Sequence, residues 1–396
     1  PRTLYLERIK PFIGEEIIKV ITGQRRVGKS YFIYQLIDEI KKTHSGVSVI
    51  YINRELQEFS TINNHNELYG YVKANEHPGV QTCLFIDEIQ TITSFEHALK
   101  SLLAEGGYDI YITGSNADLL SGELATLLGG RYIEFNIHPL SYNEFLEFHQ
   151  LDSRKEPLDL YLKYGGLPYL KNLPRDDDII FEYLKSIYQS ILYRDVVSRF
   201  EIRNVNFLDT LINYLASNTG TLVSARNISN YLKSQSVNIS TAAIISYQDY
   251  LNKALFTLKI KRTDIQGKKI FEIGEKHYFN DIGIRNAIVG FNPSDLGLII
   301  ENMVFNHLRI HGYKMYVGKS GEKEVDFVAE KKGEKQYFQV CLSLNDQKTI
   351  DREFGNLLII KDQYPKYVVS MEKSPASNTF QGIQNLSLLE FLSEFN

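Results

Sequence analysis

Short unbroken apolar runs alternate with helix-periodic stretches through the first third of the chain. Ile17-Ile18-Lys19-Val20-Ile21, Cys83-Leu84-Phe85-Ile86 and Ile110-Tyr111-Ile112-Thr113 read as strands buried on both faces of a parallel sheet. Tyr132 to Ile137 reads as a further strand, and between the first two runs Phe32, Ile33, Leu36, Ile37 and Ile40 fall on one helical stripe. Past the charged link Asp152 to Pro157 the pattern turns helical, most clearly from Ile179 to Phe200 with Ile180, Tyr183, Leu184, Ile187, Ile191, Val196 and Val197 near a 3.6-residue period. Residues 205–273 then read as three helices and two short strands. Phe207, Leu208, Leu211, Ile212 and Leu215 mark the first helix, Ser224 caps the second, Ser240-Thr241 opens the third, and Leu255–Ile260 and Lys269–Ile273 are the strands. At 396 residues the chain exceeds one ordinary core. The pattern divides it into an α/β core at 1–150, a helical lid at 151–204, a helix-and-strand domain at 205–285 and a second α/β domain at 286–396.

The first apolar run leads into Gly23-Gln24-Arg25-Arg26-Val27-Gly28-Lys29-Ser30, with Tyr31 next, a full match to the phosphate-loop (Walker A) pattern in its required strand, loop and helix context. Gly23 and Gly28 let backbone N–H groups turn inward around phosphate oxygens. Lys29 reaches the β and γ phosphates, Ser30 ligates Mg²⁺, and the following helix points its positive dipole end at the anion. The motif predicts binding of a nucleoside triphosphate.

The second run ends in Asp87-Glu88, two acids delivered to the carboxyl edge of a sheet in a Walker B arrangement. Asp87 holds Mg²⁺ and Glu88 orients or deprotonates the attacking water, so the pair predicts hydrolysis; the alternative is that the acids cap the next helix. The third run ends in Gly114-Ser115-Asn116. Ser115 or Asn116 is either a sensor of the γ-phosphate or a cap for the helix from Ala117. Arg131, after Gly129-Gly130, is either an arginine finger, in cis or from a neighbouring subunit, or the partner of a surface acid.

These motifs, with Leu84 to Gln90, Thr113-Gly114-Ser115, Gly130-Arg131 and Pro139-Leu140-Ser141, resemble the prokaryotic AAA+ superfamily ATPases that carry a C-terminal domain of unknown function. The likeness runs on through Tyr164-Gly165-Gly166-Leu167-Pro168, Tyr193-Arg194-Asp195-Val196, Asn280-Asp281-Ile282-Gly283-Ile284-Arg285, Glu301-Asn302 and Glu324-Val325-Asp326-Phe327, covering nearly the whole chain. It implies ATP as the nucleotide, a P-loop NTPase sheet of five parallel strands with the sensor strand between the Walker strands, and Glu88 as catalytic glutamate. Arg194 is either a second sensor, as in related lids, or a local partner of Asp195.

Residues 205–273 follow winged-helix order, in which the third helix enters the major groove and the strand pair touches backbone. Between residues 220 and 275 eight basic residues face four acidic ones, clustered around the strand pair, but the third helix has no Lys or Arg before Lys253. Base-specific reading of guanine is therefore poor, and non-specific DNA contact and protein docking both stay open. The last hundred residues resemble the restriction-endonuclease-like fold, with Glu301 on a helix and Glu324 and Asp326 on a strand. The Glu-x-Lys expected on the next strand is replaced by Gln339 and Cys341, so this domain is expected not to cleave; Glu324 and Asp326 keep slow metal-dependent cleavage as the alternative.

A net charge of −4 and a pI near 6.2 give no global field toward nucleic acid or an acidic membrane. Cys83 and Cys341 form neither a disulfide framework nor a metal spacing, and there is no signal peptide or apolar stretch of about 18 residues, so the chain reads as soluble and cytoplasmic. The function expected is Mg²⁺-dependent ATP hydrolysis driving conformational change, acting with DNA through the C-terminal segments. The alternative is a nucleotide-dependent switch or assembly protein that binds a protein partner; a homo-oligomer is expected where Arg131 acts in trans.

Overall fold

The apolar runs of the first third become β1 (Ile18–Thr22), β2 (Ser48–Asn53), β3 (Thr82–Asp87), β4 (Tyr108–Thr113) and β5 (Tyr132–Asn136), paired in parallel in the order β2-β3-β4-β1-β5. This computed structural model describes residues 2–44, 46–114, 128–235, 237–265, 270–373 and 379–395, and divides into the units Pro1–His138 and Pro139–Asn396. Every residue of β1, β3 and β4 is buried, because helices cover both faces of a parallel sheet, and that is why these strands read as unbroken apolar runs. Among the described residues the α-helices of this unit are α1 (Thr3–Ile9), α2 (Lys29–Thr43), α3 (His65–Asn75) and α4 (Phe95–Glu105). The apolar stripe of α2 is buried as its spacing predicted, and the Walker B strand is separated from the Walker A strand by β4.

Two charges sit inside this sheet. Lys19 on β1 and Asp109 on β4 are both 0% exposed, with Nζ 2.5 Å from Oδ1. The ammonium also donates to the Glu15 carbonyl at 2.6 Å, while Asp109 Oδ2 accepts from Gly14 N and the Tyr111 hydroxyl, each at 2.8 Å. Burial lowers the pKa of Lys19, opposed by Asp109. The pair ties two neighbouring strands together and fixes the turn before β1.

The second unit begins with α5 (Tyr142–His149), whose Ser141 and Glu144 form a capping box. It continues through α6 (Lys155–Tyr164), α7 (Asp177–Ser190), α8 (Val205–Ser217), β6 (Leu222–Val223), α9 (Ala225–Ser234), α10 (Thr241–Lys253), β7 (Thr257–Asp264), β8 (Ile270–Phe279), α11 (Ile282–Val289) and α12 (Leu296–Ile310). The helix read from 179 to 200 changes character part-way: α7 ends at Ser190 and Ile191–Val197 is π-helical, with Asp195 and Val196 buried. Beyond α12 lie β9 (Lys314–Ser320), β10 (Lys323–Lys331), β11 (Glu334–Cys341), α13 (Gln347–Leu358), β12 (Lys366–Ser370), β13 (Thr379–Phe380), β14 (Ile383–Ser387) and α14 (Leu388–Glu394). The strands form one sheet in the order β13-β14-β12-β11-β10-β9-β7-β8-β6, so segments on either side of residue 285 share it.

Two of the motifs noted in sequence serve this packing. Gly166 N donates to Asp281 Oδ2 at 2.8 Å, and a Cβ on Gly165, whose φ is +78°, would lie 2.4 Å from Asp281 Oδ1. Asn286 donates to the carbonyls of Leu162 and Lys163 at 2.9 Å each, and Arg285 reaches Ala216 O at 2.9 Å and Asp295 at 2.7 Å. The Gly-Gly turn and the Asn280–Arg285 segment are therefore two halves of one joint.

Removing either buried charge of the Lys19–Asp109 pair leaves the other uncompensated, which costs about 3–5 kcal/mol. Lys19→Met and Asp109→Asn should each lower the calorimetric melting transition of the first unit, and Lys19→Met/Asp109→Leu together should recover most of the loss.

Candidate functional site

The carboxyl edge of the parallel sheet collects the Walker residues. β1 ends at Thr22 and the chain turns through Gly23, where φ is +150° and a Cβ would lie 2.3 Å from the Ile137 carbonyl. Only glycine fits that close approach. Gly28, at φ 95°, stands at the N-cap of α2 without a side-chain cap, so the first N–H groups of the helix face the loop. Lys29 is buried, and its Nζ donates to the carbonyls of Gly23 at 3.1 Å and Gln24 at 3.3 Å. Gln24 and Val27 are buried, Arg25 and Ser30 half-buried and Arg26 exposed at φ 66°. Tyr31 is exposed and meets Tyr34 edge-on, which in turn meets Tyr51 of β2 edge-on.

Asp87, 2% exposed, closes β3 two strands from β1, a distance of about 10 Å at the usual strand spacing. Thr113, at the end of β4 between them, joins both acids: its hydroxyl donates to Asp87 Oδ1 and accepts the Glu88 N–H at 3.1 Å. The Tyr51 hydroxyl lies 3.5 Å from Asp87 Oδ2, and burial raises its pKa. Glu88 adopts φ 58°, and its Oε2 accepts from Gln90 Nε2 at 2.6 Å. The oxygen donors fit a hard cation: a hydroxyl from Ser30 and a carboxylate from Asp87.

Arg131 stands elsewhere. Its carbonyl accepts the Ile18 N–H at 3.0 Å, placing it beside the first residue of β1, whereas the phosphate loop leaves the last, Thr22, about 13 Å away at about 3.3 Å per residue. The structure does not bring Arg131 to the phosphate loop of its own chain. Ser115 and Asn116 lie outside the described residues.

Sequence reasoning passed over Thr113 as a holder of the acids, and passed over Arg2. The Arg2 guanidinium donates to the carbonyls of Val27 at 3.0 Å and His138 at 2.9 Å, bracing the phosphate loop from the N-terminal segment. Register would have found Thr113, since Ile86 pairs with Ile112 and the next residues on both strands are Asp87 and Thr113. No local signal marks Arg2, whose partners are 25 and 136 residues away.

Residues 15–146 match the family described as AAA domain, and residues 155–295 match a domain of unknown function, DUF8612. An uncharacterized protein of Haemophilus influenzae is 34% identical over 397 residues, 99% of this chain and 98% of that protein. Uncharacterized protein MJ1544 of Methanocaldococcus jannaschii is 34% identical over 346 residues, 83% of this chain and 75% of that protein. AMPPCP-bound DnaA from Aquifex aeolicus is 19% identical with a TM-score of 0.32, covering 50% of this chain and 67% of that one, a likeness too loose to bear on fold or ligand. The chain belongs to one family with the Haemophilus and Methanocaldococcus proteins, and its residues 15–146 form an AAA domain.

Because one hydroxyl positions both acids, Thr113→Val should lower turnover about 10- to 100-fold, as loss of a supporting partner does, with nucleotide affinity within a few-fold of the parent. Hydrolysis rates beside a nucleotide titration check this split.

Proposed function

We propose that this family member hydrolyses ATP with Mg²⁺ and couples the cycle to conformational change, working on or with DNA through its second unit. The observation behind the reading is the meeting of Lys29, Asp87, Glu88 and the glycine-turned loop at one sheet edge. Loop N–H groups and Lys29 hold the phosphates. Ser30 and Asp87 hold Mg²⁺, which when bound offsets charge on the β and γ phosphates. Glu88 positions and deprotonates water, with Ser115 or Asn116 as sensor. Arg131, at the opposite edge of its own sheet, serves the site of a neighbouring copy, so the working form in this reading is a homo-oligomer. Among the described residues no helix is long and apolar enough to cross a membrane.

The DNA reading rests on the order of the segment from α8 to β8, three helices and an antiparallel strand pair in winged-helix order. Lys261 is exposed on β7, while Lys259 is held by Asp249 at 2.5 Å and Glu275 at 3.8 Å, so fewer cations face solvent than the sequence count suggests. One observation favours a protein partner as the second reading: Ile245 on α10 is 50% exposed, an apolar side chain on the helix that would enter the groove. The strands that resemble a nuclease serve docking in either reading.

Steady-state ATP hydrolysis with and without single- and double-stranded DNA separates the two. DNA stimulation that weakens steeply with salt is the expected result, because each phosphate contact releases counterions; turnover indifferent to DNA, with a partner retained after nuclease treatment, favours the protein-binding switch. Lys29→Ala should abolish tight ATP binding in the same preparation, as read by titration.

A further inference from the structure

One arginine fastens the phosphate loop to the chain that follows β5. Arg2 is buried, and its guanidinium donates from Nη1 to the Val27 carbonyl at 3.0 Å and from Nη2 to the His138 carbonyl at 2.9 Å. Its backbone is held at both ends: Arg2 N donates to Gln35 Oε1 of α2 at 3.0 Å, and the Arg2 carbonyl accepts the Tyr5 and Leu6 N–H groups of α1 at 3.1 Å each. Tyr5 steadies the guanidinium from one side, with Cζ 4.6 Å from its ring centroid. The same ring meets Phe32 of α2 edge-on, and its hydroxyl accepts the His138 N–H at 3.2 Å. A planar fork of donors suits two carbonyls at once, where an ammonium is a single point.

The two carbonyls belong to different pieces of chain. His138 follows Ile137, whose N–H donates to the Thr22 carbonyl at 2.7 Å and whose own carbonyl lies where a Cβ on Gly23 would have to be. Residues 137–138 are thus the wall against which the loop is built. Val27 belongs to the loop itself, one residue before α2 is capped by Gly28. A peptide group is planar and trans, so its C=O and N–H point in opposite directions. The Val27 carbonyl and the Gly28 N–H are the two ends of one such group. Holding that carbonyl on Arg2 therefore turns the Gly28 N–H away from the guanidinium, at the point where the first N–H groups of α2 face the loop. Gly28, at φ 95°, is a residue with wide backbone freedom, so without an outside hold this orientation would be one of several.

We infer that Arg2 is a positioning residue for nucleotide binding: by tying the Val27 carbonyl to the His138 wall it aims the Gly28 N–H at the phosphates and sets the loop before the nucleotide arrives. The inference rests on the reading that this loop holds phosphates, and adds to it a residue that lies outside the motif. Donors already in place bind an anion without first having to be ordered, which is how the brace raises affinity. The phosphates are held before and during reaction alike, so its loss weakens both states together.

Titration with ATP and with ADP, beside steady-state hydrolysis, tests this on the full chain. Arg2→Met keeps a stem and removes the fork; it should bind both nucleotides about ten- to a hundredfold more weakly than the parent, the scale of losing hydrogen bonds to a charged group. The loss should fall on KM, with kcat changed by a few-fold at most. With isotope-labelled glycine, the amide resonance of Gly28 should move on ADP saturation in the parent and move less in Arg2→Met, a difference that general loosening of the fold would not confine to one glycine. Arg2→Lys keeps the buried charge without the fork, so it should fold where Arg2→Met does not and weaken both nucleotides in the same sense. Parent-like affinity in a folded Arg2→Met, or in Arg2→Lys where Arg2→Met does not fold, would overturn the inference, as would a loss that falls on kcat alone. Failure of both variants to fold would also overturn it, by showing that Arg2 serves the packing of α1 and not the loop. A parent chain that binds neither nucleotide, or a Lys29→Ala that binds them as the parent does, would instead overturn the reading of the loop itself.

Discussion

An ammonium taken out of water must have its donors accepted, and among the described residues that constraint acts in three places. Lys19 answers it with Asp109 and a carbonyl in the middle of the parallel sheet, Lys29 with two loop carbonyls, and Lys276 with three carboxylates. The kind of acceptor decides what each lysine can do. Bonds between ionised partners are roughly twice as strong as those to neutral groups, so Lys19 and Lys276 are locked in place. Lys29 donates to the carbonyls of Gly23 and Gln24 at the sheet edge where an anion is expected.

The same contrast separates what could be read from the sequence from what could not. Lys29 was legible because the motif that marks it lies within eight residues, Gly23 to Ser30, and glycine turns announce themselves locally. The parallel sheet was legible because burial on both faces leaves apolar runs without alternation, and its order followed from family resemblance. Lys19 hid inside such a run as an exception, its partner 90 residues away. Nothing in the sequence marked Lys276, although its acceptors Glu301 and Asp326, 25 and 50 residues on, had each been singled out. Thr113 lay within a motif but was passed over for its neighbours Ser115 and Asn116, because only strand register places its hydroxyl between the two acids.

Local reading also gave Arg131 a role without a place. A glycine pair before an arginine says nothing about which end of a strand it occupies, and pairing with Ile18 puts it at the edge away from the phosphate loop. A charge there has a catalytic use only if a second copy brings its own loop to it. The wing cations show the same limit: counted along the chain they form a basic patch, but Lys259 is drawn off by Asp249 and Glu275. In each case a partner distant in sequence decides what the residue is available for.

The proposal for the sheet edge is that it hydrolyses ATP, with Glu88 activating the water. Comparing steady-state hydrolysis by the parent protein and by Glu88→Gln, with ATP affinity measured on both, tests it most directly. The account predicts that Glu88→Gln binds ATP within a few-fold of the parent and turns over about 100-fold or more slowly, the scale of losing a general base. Parent-like turnover by a folded Glu88→Gln would contradict it and move the base to another residue.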